Sequence, residues 1–233
     1  VVLDRPERRN TITDALLADL HGAVTEAETA SDCQTLVISA MGADFCAGMD
    51  LEASHAAVGE VDLRYWAILR QLATTDLVTV AMVDGAATAG GVGLAAACDI
   101  VLAGAQARFR LTEVFFGLIP AMALPFVARR IGEQRAFTAT LLAQTLDARA
   151  AADIGLADRV GPTAEEALRP LLVDLRRVRP GTVAALKAYR AQLFPWRADL
   201  GDVAGRAFLD RFSEPGVRQA MSDLKTALVG SSA

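Results

Sequence analysis

The hydrophobic pattern along the chain predicts alternating strands and helices. Apolar residues recur at helical spacing between Leu16 and Ala27, and Thr13 before them is a suitable N-cap, which predicts a helix reaching about residue 30. Short β-branched runs predict strands at 35–40, 77–83, 100–103, 108–111 and 158–160. Further helices are predicted at 62–74, 91–97, 125–131, 133–142 and 148–153. This alternation indicates an α/β fold with much parallel pairing of strands.

The pattern changes after Pro162. From there the apolar periodicity is almost wholly helical, at 164–177, 181–192, 200–212 and 215–228. We therefore predict a β/α core over residues 1–162, followed by a helical C-terminal region over residues 163–233.

Composition and charge exclude several classes of partner. The chain has 233 residues, 53% of them hydrophobic, so one large domain with a sizeable core can form. Its net charge of −5 argues against nucleic acid, and its apolar stretches are too interrupted for a membrane span. Cys33, Cys46 and Cys98 show no metal-binding spacing, so we expect no metal and reduced thiols in a cytoplasmic protein. The chain begins without Met inside a predicted strand, so residues are expected upstream of Val1.

A glycine-rich turn at 83–94 connects the strand at 77–83 to a helix of small residues. Free backbone N–H groups at a helix N-terminus favour negative charge, and the glycines allow a ligand close to the backbone. Such a turn binds phosphate or stabilises an oxyanion, and taken alone it leaves both open.

A second loop of small residues, 45–50, follows the strand at 35–40 and ends at Asp50. Two strand-to-helix turns with exposed N–H groups are what an oxyanion hole with two donors needs. Each loop is otherwise explained as a tight turn.

Glu113 is the only carboxylate in the apolar run 109–120. Apolar surroundings raise the pKa of a carboxyl group and make it a usable acid or base near neutral pH. The alternative is that Glu113 caps a helix end or pairs with Arg108 or Arg110.

Six segments, in this order and spacing, resemble the crotonase (enoyl-CoA hydratase/isomerase) superfamily: 5–10, 45–50, 89–93, 98–100, 113–120 and 151–158. The resemblance implies a spiral core of ββα units and a C-terminal region, 163–233, that forms homotrimers, often paired into hexamers. It implies acyl-thioester substrates, carried on coenzyme A or on the phosphopantetheine of an acyl carrier protein, and no cofactor of the protein's own.

The resemblance also assigns roles to residues. The backbone N–H groups of Met49 and Gly90 would hold the thioester oxygen as an enolate forms, and Glu113 would be the catalytic carboxylate. Asp50 and His55 are candidate assisting residues, although the favoured explanations are an N-cap for Asp50 and an exposed loop position for His55. Hydratases of the family usually carry a second glutamate where this chain has Gly93. That departure favours elimination or isomerisation over the addition of water.

Within the superfamily, the runs 45–50, 89–93, 115–126 and 129–132 resemble the dehydratase-type members of polyketide β-branching cassettes. Those enzymes dehydrate 3-hydroxy-3-methylglutaryl groups on an acyl carrier protein, whereas the decarboxylating members use a lysine that is absent from 49–52 here. We therefore predict dehydration of a 3-hydroxyacyl thioester. The alternatives are a double-bond isomerase using the same glutamate, and a non-catalytic thioester- or RNA-binding homologue.

Two groups of side chains keep open roles. Arg5, Arg8 and Arg9 are candidates for contacting the nucleotide phosphates or an acidic carrier protein, or are solvated charges. A second group lies in the C-terminal region: Lys187, Tyr189, Phe194, Trp196 and Phe208. These side chains are candidates for lining an acyl pocket, for meeting a neighbouring subunit or for internal packing.

Overall fold

The strands of the computed structural model, which describes residues 1–50, 63–217 and 219–220, form two sheets. The first sheet has the order β1-β2-β4-β6-β9 and is parallel throughout, and the second has the order β3-β5-β7-β8 with only β8 antiparallel. The strands are β1 (Val2–Leu3), β2 (Thr35–Ala40), β3 (Asp44–Cys46), β4 (Val78–Val83), β5 (Ala86–Thr88), β6 (Ile100–Gly104), β7 (Arg108–Arg110), β8 (Leu146–Asp147) and β9 (Arg159–Gly161).

Helices follow most of the strand pairs and make up the C-terminal part of the described chain. Their bounds are α1 (Asp14–Thr29), α2 (Arg64–Thr74), α3 (Gly90–Ala97), α4 (Leu124–Ile131), α5 (Glu133–Leu141), α6 (Ala148–Asp153), α7 (Ala164–Leu175), α8 (Thr182–Leu193) and α9 (Leu200–Ser213). Two short 3-10 turns span Pro6–Arg8 and Glu113–Phe116. The predicted helix at 215–228 falls largely outside the described residues.

The predicted α/β class and the helical C-terminal region are confirmed. Of the second sheet, only β7 was predicted, as the strand at 108–111; β3 and β5 overlap the two loops, and β8 lies in a segment without a predicted element. The three unpredicted strands have two or three residues each, too few to show an alternation of apolar and polar positions. β3 and β5 follow β2 and β4 as the second strands of two ββα units, and so they fix where each loop begins.

Helix α3 occupies the centre of the molecule. All eight of its residues are buried, as expected for a helix that is apolar on every side. It contacts α2, α4 and the strands β3, β4 and β5. Helix α7 covers the opposite face of the first sheet, where Ala164, Ala167 and Leu171 pack on Val80 and Leu102. The N-terminus of α3 therefore lies between the two sheets and their covering helices.

A buried ion pair attaches α8 to this core. The Nζ atom of Lys187 lies 2.5 Å from Asp99 Oδ2, and both side chains are nearly inaccessible. The same ammonium group donates to the carbonyl oxygens of Thr75 (2.8 Å) and Leu77 (2.6 Å). Since α8 has no buried residue of its own, this cation is a main attachment of the helix. Of the roles left open for Lys187, internal packing is the one observed.

The described residues contain neither a helix long and apolar enough to cross a membrane nor a group of three metal-ligating side chains. Cys46 and Cys98 are buried, Cys33 is half-buried, and all three are free thiols.

Asn10 fixes the start of the first loop. Its backbone is left-handed (φ 51°), and its side chain, 2% exposed, accepts from the Arg5 N–H (2.8 Å). Its amide donates to the carbonyl oxygens of Met41 (2.9 Å) and Asp44 (2.8 Å). The amide thus ties the 5–10 segment to both ends of the connection between β2 and β3.

Asn10→Ala should therefore lower the free energy of unfolding by about 2–4 kcal/mol, because three backbone groups lose a buried partner and alanine disfavours a left-handed backbone. Asn10→Gly is the matched control, since it removes the same amide but tolerates this φ. It should lose about 1 kcal/mol less. Urea unfolding of both variants checks this, and two variants as stable as the parent would contradict it.

Candidate active site

The two loops predicted to carry backbone donors lie against each other. A Cβ added to Gly48, whose φ is +91°, would lie 2.8 Å from Ala89 Cβ and 3.2 Å from the Gly90 nitrogen. A Cβ on Gly91 would overlap the carbonyl group of Cys46. Glycine is required at both positions because the two backbones approach to van der Waals distance. The structure therefore brings Gly48–Met49 to the N-terminus of α3.

The first loop is held by pairing with Ile12. The Ile12 N–H donates to Gly48 O (2.8 Å), and the Asp50 N–H donates to Ile12 O (2.9 Å). In a parallel bridge of this kind, the residue between the two bonded positions turns its own N–H the other way. Among the backbone hydrogen bonds of the described residues, none uses the N–H of Met49 or of Gly90. Both predicted donors therefore lack a backbone acceptor among the described residues.

The second loop is strained where it enters α3. Ala89 has φ 51° and ψ −121°, a conformation that costs a residue with a side chain about 1–3 kcal/mol. The Ala89 N–H donates to Arg110 O (2.8 Å), so β7 holds the strained residue in place. As a result, the N–H of Gly90 opens the helix without an acceptor, at the positive end of its dipole.

Glu113 lies just after β7, at the first position of a 3-10 turn. Its Oε2 atom is buried and has no hydrogen-bond partner among the described residues. Burial raises the pKa of the Glu113 carboxyl from 4.5 to about 7, against weaker opposing hydrogen bonds from the backbone of Glu113 and Thr112. A carboxyl group with this pKa is present in both protonation states near neutral pH.

The alternative pairing of Glu113 with an arginine is not observed. Arg110 donates to Ala143 O (2.8 Å) and stacks on the Phe115 ring, and Arg108 donates to Ala107 O (2.8 Å). Both cations are thus held by other groups, and the environment of Glu113 is set by desolvation.

Tyr65, in the first turn of α2, connects these parts. Its side chain is 5% exposed, and its hydroxyl group donates to the carbonyl oxygen of Gly90. Burial raises its pKa well above 10, and the charges of Cys46 and Glu113 raise it further. Sequence reasoning missed Tyr65, because its position on the buried face of an amphipathic helix indicates only packing.

The three arginines proposed for phosphate or carrier binding each contact a polar side chain of this chain. Arg9 binds Asp44 through two hydrogen bonds (3.0 and 3.1 Å), Arg8 lies 3.7 Å from Asp50, and Arg5 donates to Thr13 (3.3 Å). The Asp50 carboxylate thus faces Arg8. Whether Asp50 caps a helix depends on residues that, with His55, lie outside the described residues.

Residues 1–194 match the family model described as enoyl-CoA hydratase/isomerase. The chain belongs to the crotonase family. It is 32% identical over 224 residues to the bacillaene synthase dehydratase PksH of Bacillus subtilis, covering 92% of this chain and 85% of that protein. These findings confirm the resemblance expected from the sequence, including that to dehydratase-type members of polyketide cassettes.

Solved structures of the family share the fold over nearly the whole chain. A crystal structure of PksH from Bacillus subtilis has a TM-score of 0.89 and 29% identity, covering 97% of this chain and 93% of that one. An enoyl-CoA hydratase from Mycobacterium avium has a TM-score of 0.87 and 29% identity, covering 97% and 90%.

Local packing explains the glycine at position 93. A Cβ there would lie 2.6 Å from Ala123 Cβ and still closer to the Tyr65 hydroxyl oxygen. Tyr65 and Ala123 thus occupy the space into which a side chain at position 93 would project. The departure noticed in the sequence is therefore built into the packing of α2 and α4 around α3.

Gly93→Ala should destabilise the protein by about 1–3 kcal/mol, because the added methyl group overpacks a closed space. Gly22→Ala is the control: it also adds a methyl group to a helical glycine, but nothing lies within 4 Å of that Cβ. It should stabilise by about 0.5–1 kcal/mol. Denaturant unfolding measures both, and equal effects of the two changes would contradict the crowding at Gly93.

Glu113→Gln should change stability with pH in a defined direction. Since folding raises the Glu113 pKa from 4.5 to about 7, the carboxyl group favours the fold below pH 4.5, and this contribution is lost as the pH rises through 7. The neutral amide avoids this loss, so the variant should be more stable than the parent at pH 8.5, by up to about 3 kcal/mol. At pH 4.5 the difference should largely disappear. Urea unfolding at both pH values tests this, and a pH-independent difference would refute the raised pKa.

Proposed function

We propose that this protein dehydrates a 3-hydroxyacyl thioester, such as a 3-hydroxy-3-methylglutaryl group, through an enolate. One observation carries the proposal: the buried Oε2 of Glu113 has no partner among the described residues, while α3 offers no second carboxylate at Gly93. One acid–base group, used together with two backbone donors, suits the removal and return of a proton. The name of PksH, a dehydratase of bacillaene synthase, supports elimination as the outcome.

In the proposed reaction, the thioester oxygen accepts hydrogen bonds from the N–H groups of Met49 and Gly90. Each such donor is worth roughly 3–4 kcal/mol of barrier where one has been removed in other enzymes. The Glu113 carboxylate takes the α-proton, and the electron pair of the C–H bond becomes the enolate. The enolate then forms the double bond as the C–O bond at the β-carbon breaks. Glu113 returns the proton to the departing oxygen, which leaves as water.

The pKa of about 7 for Glu113 suits both halves of this cycle. A carboxyl group of ordinary pKa would be a weak base for the α-proton and a poor donor to the leaving hydroxyl at neutral pH. Desolvation of Glu113 raises the pKa of its carboxyl group to a value at which both proton transfers are feasible near neutral pH. A single carboxyl group therefore suffices as base and then acid.

We infer that the substrate is carried on the phosphopantetheine of an acyl carrier protein or on coenzyme A. Family membership supports a thioester, and the polyketide relative favours the carrier protein. Assembly into homotrimers or hexamers through residues 163–233 is part of the same proposal. It is supported by exposed apolar side chains on and after α8, Leu186, Tyr189, Leu193 and Phe194.

The second candidate is isomerisation of an enoyl thioester between the α,β and β,γ positions, which the family description includes. It uses the same oxyanion donors and the same carboxyl group. Incubation with a 3-hydroxyacyl and an enoyl thioester, followed by mass spectrometry, separates the two: loss of water identifies a dehydratase, and a shifted double bond at unchanged mass identifies an isomerase. Binding without chemistry would show as no α-proton exchange in deuterated water.

Glu113→Gln should reduce turnover by about 10²–10⁴-fold while the protein stays folded, because the amide cannot accept the α-proton. In the parent, kcat/KM should rise with pH through about 7 and then level off, since the carboxylate form is the base. Steady-state kinetics from pH 5.5 to 9 measure both. Near-normal turnover in the variant, or a profile that is flat through pH 7, would exclude Glu113 as the base.

A further inference from the structure

We propose that Tyr65 is a positioning residue for the oxyanion donor on Gly90. This inference rests on the proposed function and adds a second side chain to it. Tyr65 is contributed by α2, a helix to which the sequence analysis assigned no part in the site. Within the described residues, its hydroxyl group makes one hydrogen bond, to the carbonyl oxygen of Gly90.

The phenol ring lies across the side of α3 that carries no side chains. A Cβ on Gly90 would lie 3.4 Å from the Tyr65 hydroxyl oxygen and 3.5 Å from Cζ, and a Cβ on Gly93 would clash with the same oxygen. Gly90 and Gly93 are three residues apart in a helix, so they share one face. Tyr65 can pack this closely on that face only because positions 90 and 93 carry no side chain.

The hydrogen bond acts on a turn that is under strain. Ala89 holds φ 51° immediately before Gly90, and the backbone relaxes easily there if nothing fixes the next peptide group. The Arg110 carbonyl holds the turn from one side through the Ala89 N–H, and Tyr65 holds it from the other through the Gly90 carbonyl. Together they set the direction of the Gly90 N–H between them.

The electrostatics favour a donor that keeps its proton. Burial, and then the charges of Cys46 and Glu113, hold the Tyr65 pKa well above 10, so the hydroxyl stays neutral wherever Glu113 titrates. Its single proton is engaged by Gly90. Tyr65 therefore acts through the helix, whereas Glu113 transfers the protons.

Tyr65→Phe tests this, because it deletes only the hydroxyl oxygen. We expect kcat to fall by about ten- to hundredfold, as a misplacement of about 1 Å does in other sites, with a smaller change in KM. The pH profile should keep its midpoint near 7, because Glu113 remains the base. Amide hydrogen exchange of the peptide covering 89–97 should become faster.

Ile68→Val is the matched control. Ile68 is also buried on α2, and the change removes one methyl group without altering a hydrogen bond. It should lower stability and leave both kcat and the exchange of 89–97 close to those of the parent. A general loosening of α2 would instead affect the two variants alike.

The outcomes separate cleanly. Parent-like kcat in Tyr65→Phe overturns the inference, and so does a loss of activity that Ile68→Val reproduces. A change in the shape of the pH profile would make Tyr65 a proton-transfer group and also overturns it. Failure of the proposed function is visible separately, as a parent protein that neither turns over thioesters nor exchanges their α-protons.

In that case the amide hydrogen exchange of 89–97 alone tests the role of Tyr65. Equal exchange rates in Tyr65→Phe and Ile68→Val would overturn the inference.

Discussion

The close approach of two backbones is the constraint on which the rest of this structure depends. The loop after β3 and the turn before α3 contact each other through positions where a single methyl group would collide, Gly48 against Ala89 and Gly91 against Cys46. Such an approach is open only to glycine. It brings together two loops whose Met49 and Gly90 N–H groups have no backbone acceptor among the described residues.

An arrangement of this kind costs free energy, and the surrounding core offsets it. The strained backbone at Ala89 and the unpaired carboxyl oxygen of Glu113 each destabilise the fold by a few kcal/mol at most. They persist because every residue of α3 is buried against α2, α4 and both sheets. Burial likewise desolvates Glu113 and raises the pKa of its carboxyl group.

The sequence predicted this architecture where the pattern is long enough to show a period. Helix α1 with its Thr13 cap, and strands β2 and β4, were located to within a residue or two. Three of the four strands of the second sheet were missed, because they have only two or three residues each. The loops and Glu113 were found by their residue types. Tyr65 was not, since a buried aromatic residue on a helix looks the same whether its hydroxyl group touches backbone or water. The pairing of Lys187 with Asp99 was likewise hidden, because it joins residues far apart in the chain.

The chemistry follows from what α3 lacks. A carboxylate at position 93 of α3 would supply a second acid–base group beside the one on Glu113. At Gly93 the phenol of Tyr65 and the methyl group of Ala123 fill that space, so the described residues place no second carboxylate there. A single group must then both remove and deliver a proton, and it can do so only if its pKa lies near the working pH. The burial that raises the pKa of Glu113 to about 7 meets that requirement. The absence of a carboxylate at position 93 and the raised pKa of Glu113 therefore favour the same one-carboxylate reaction.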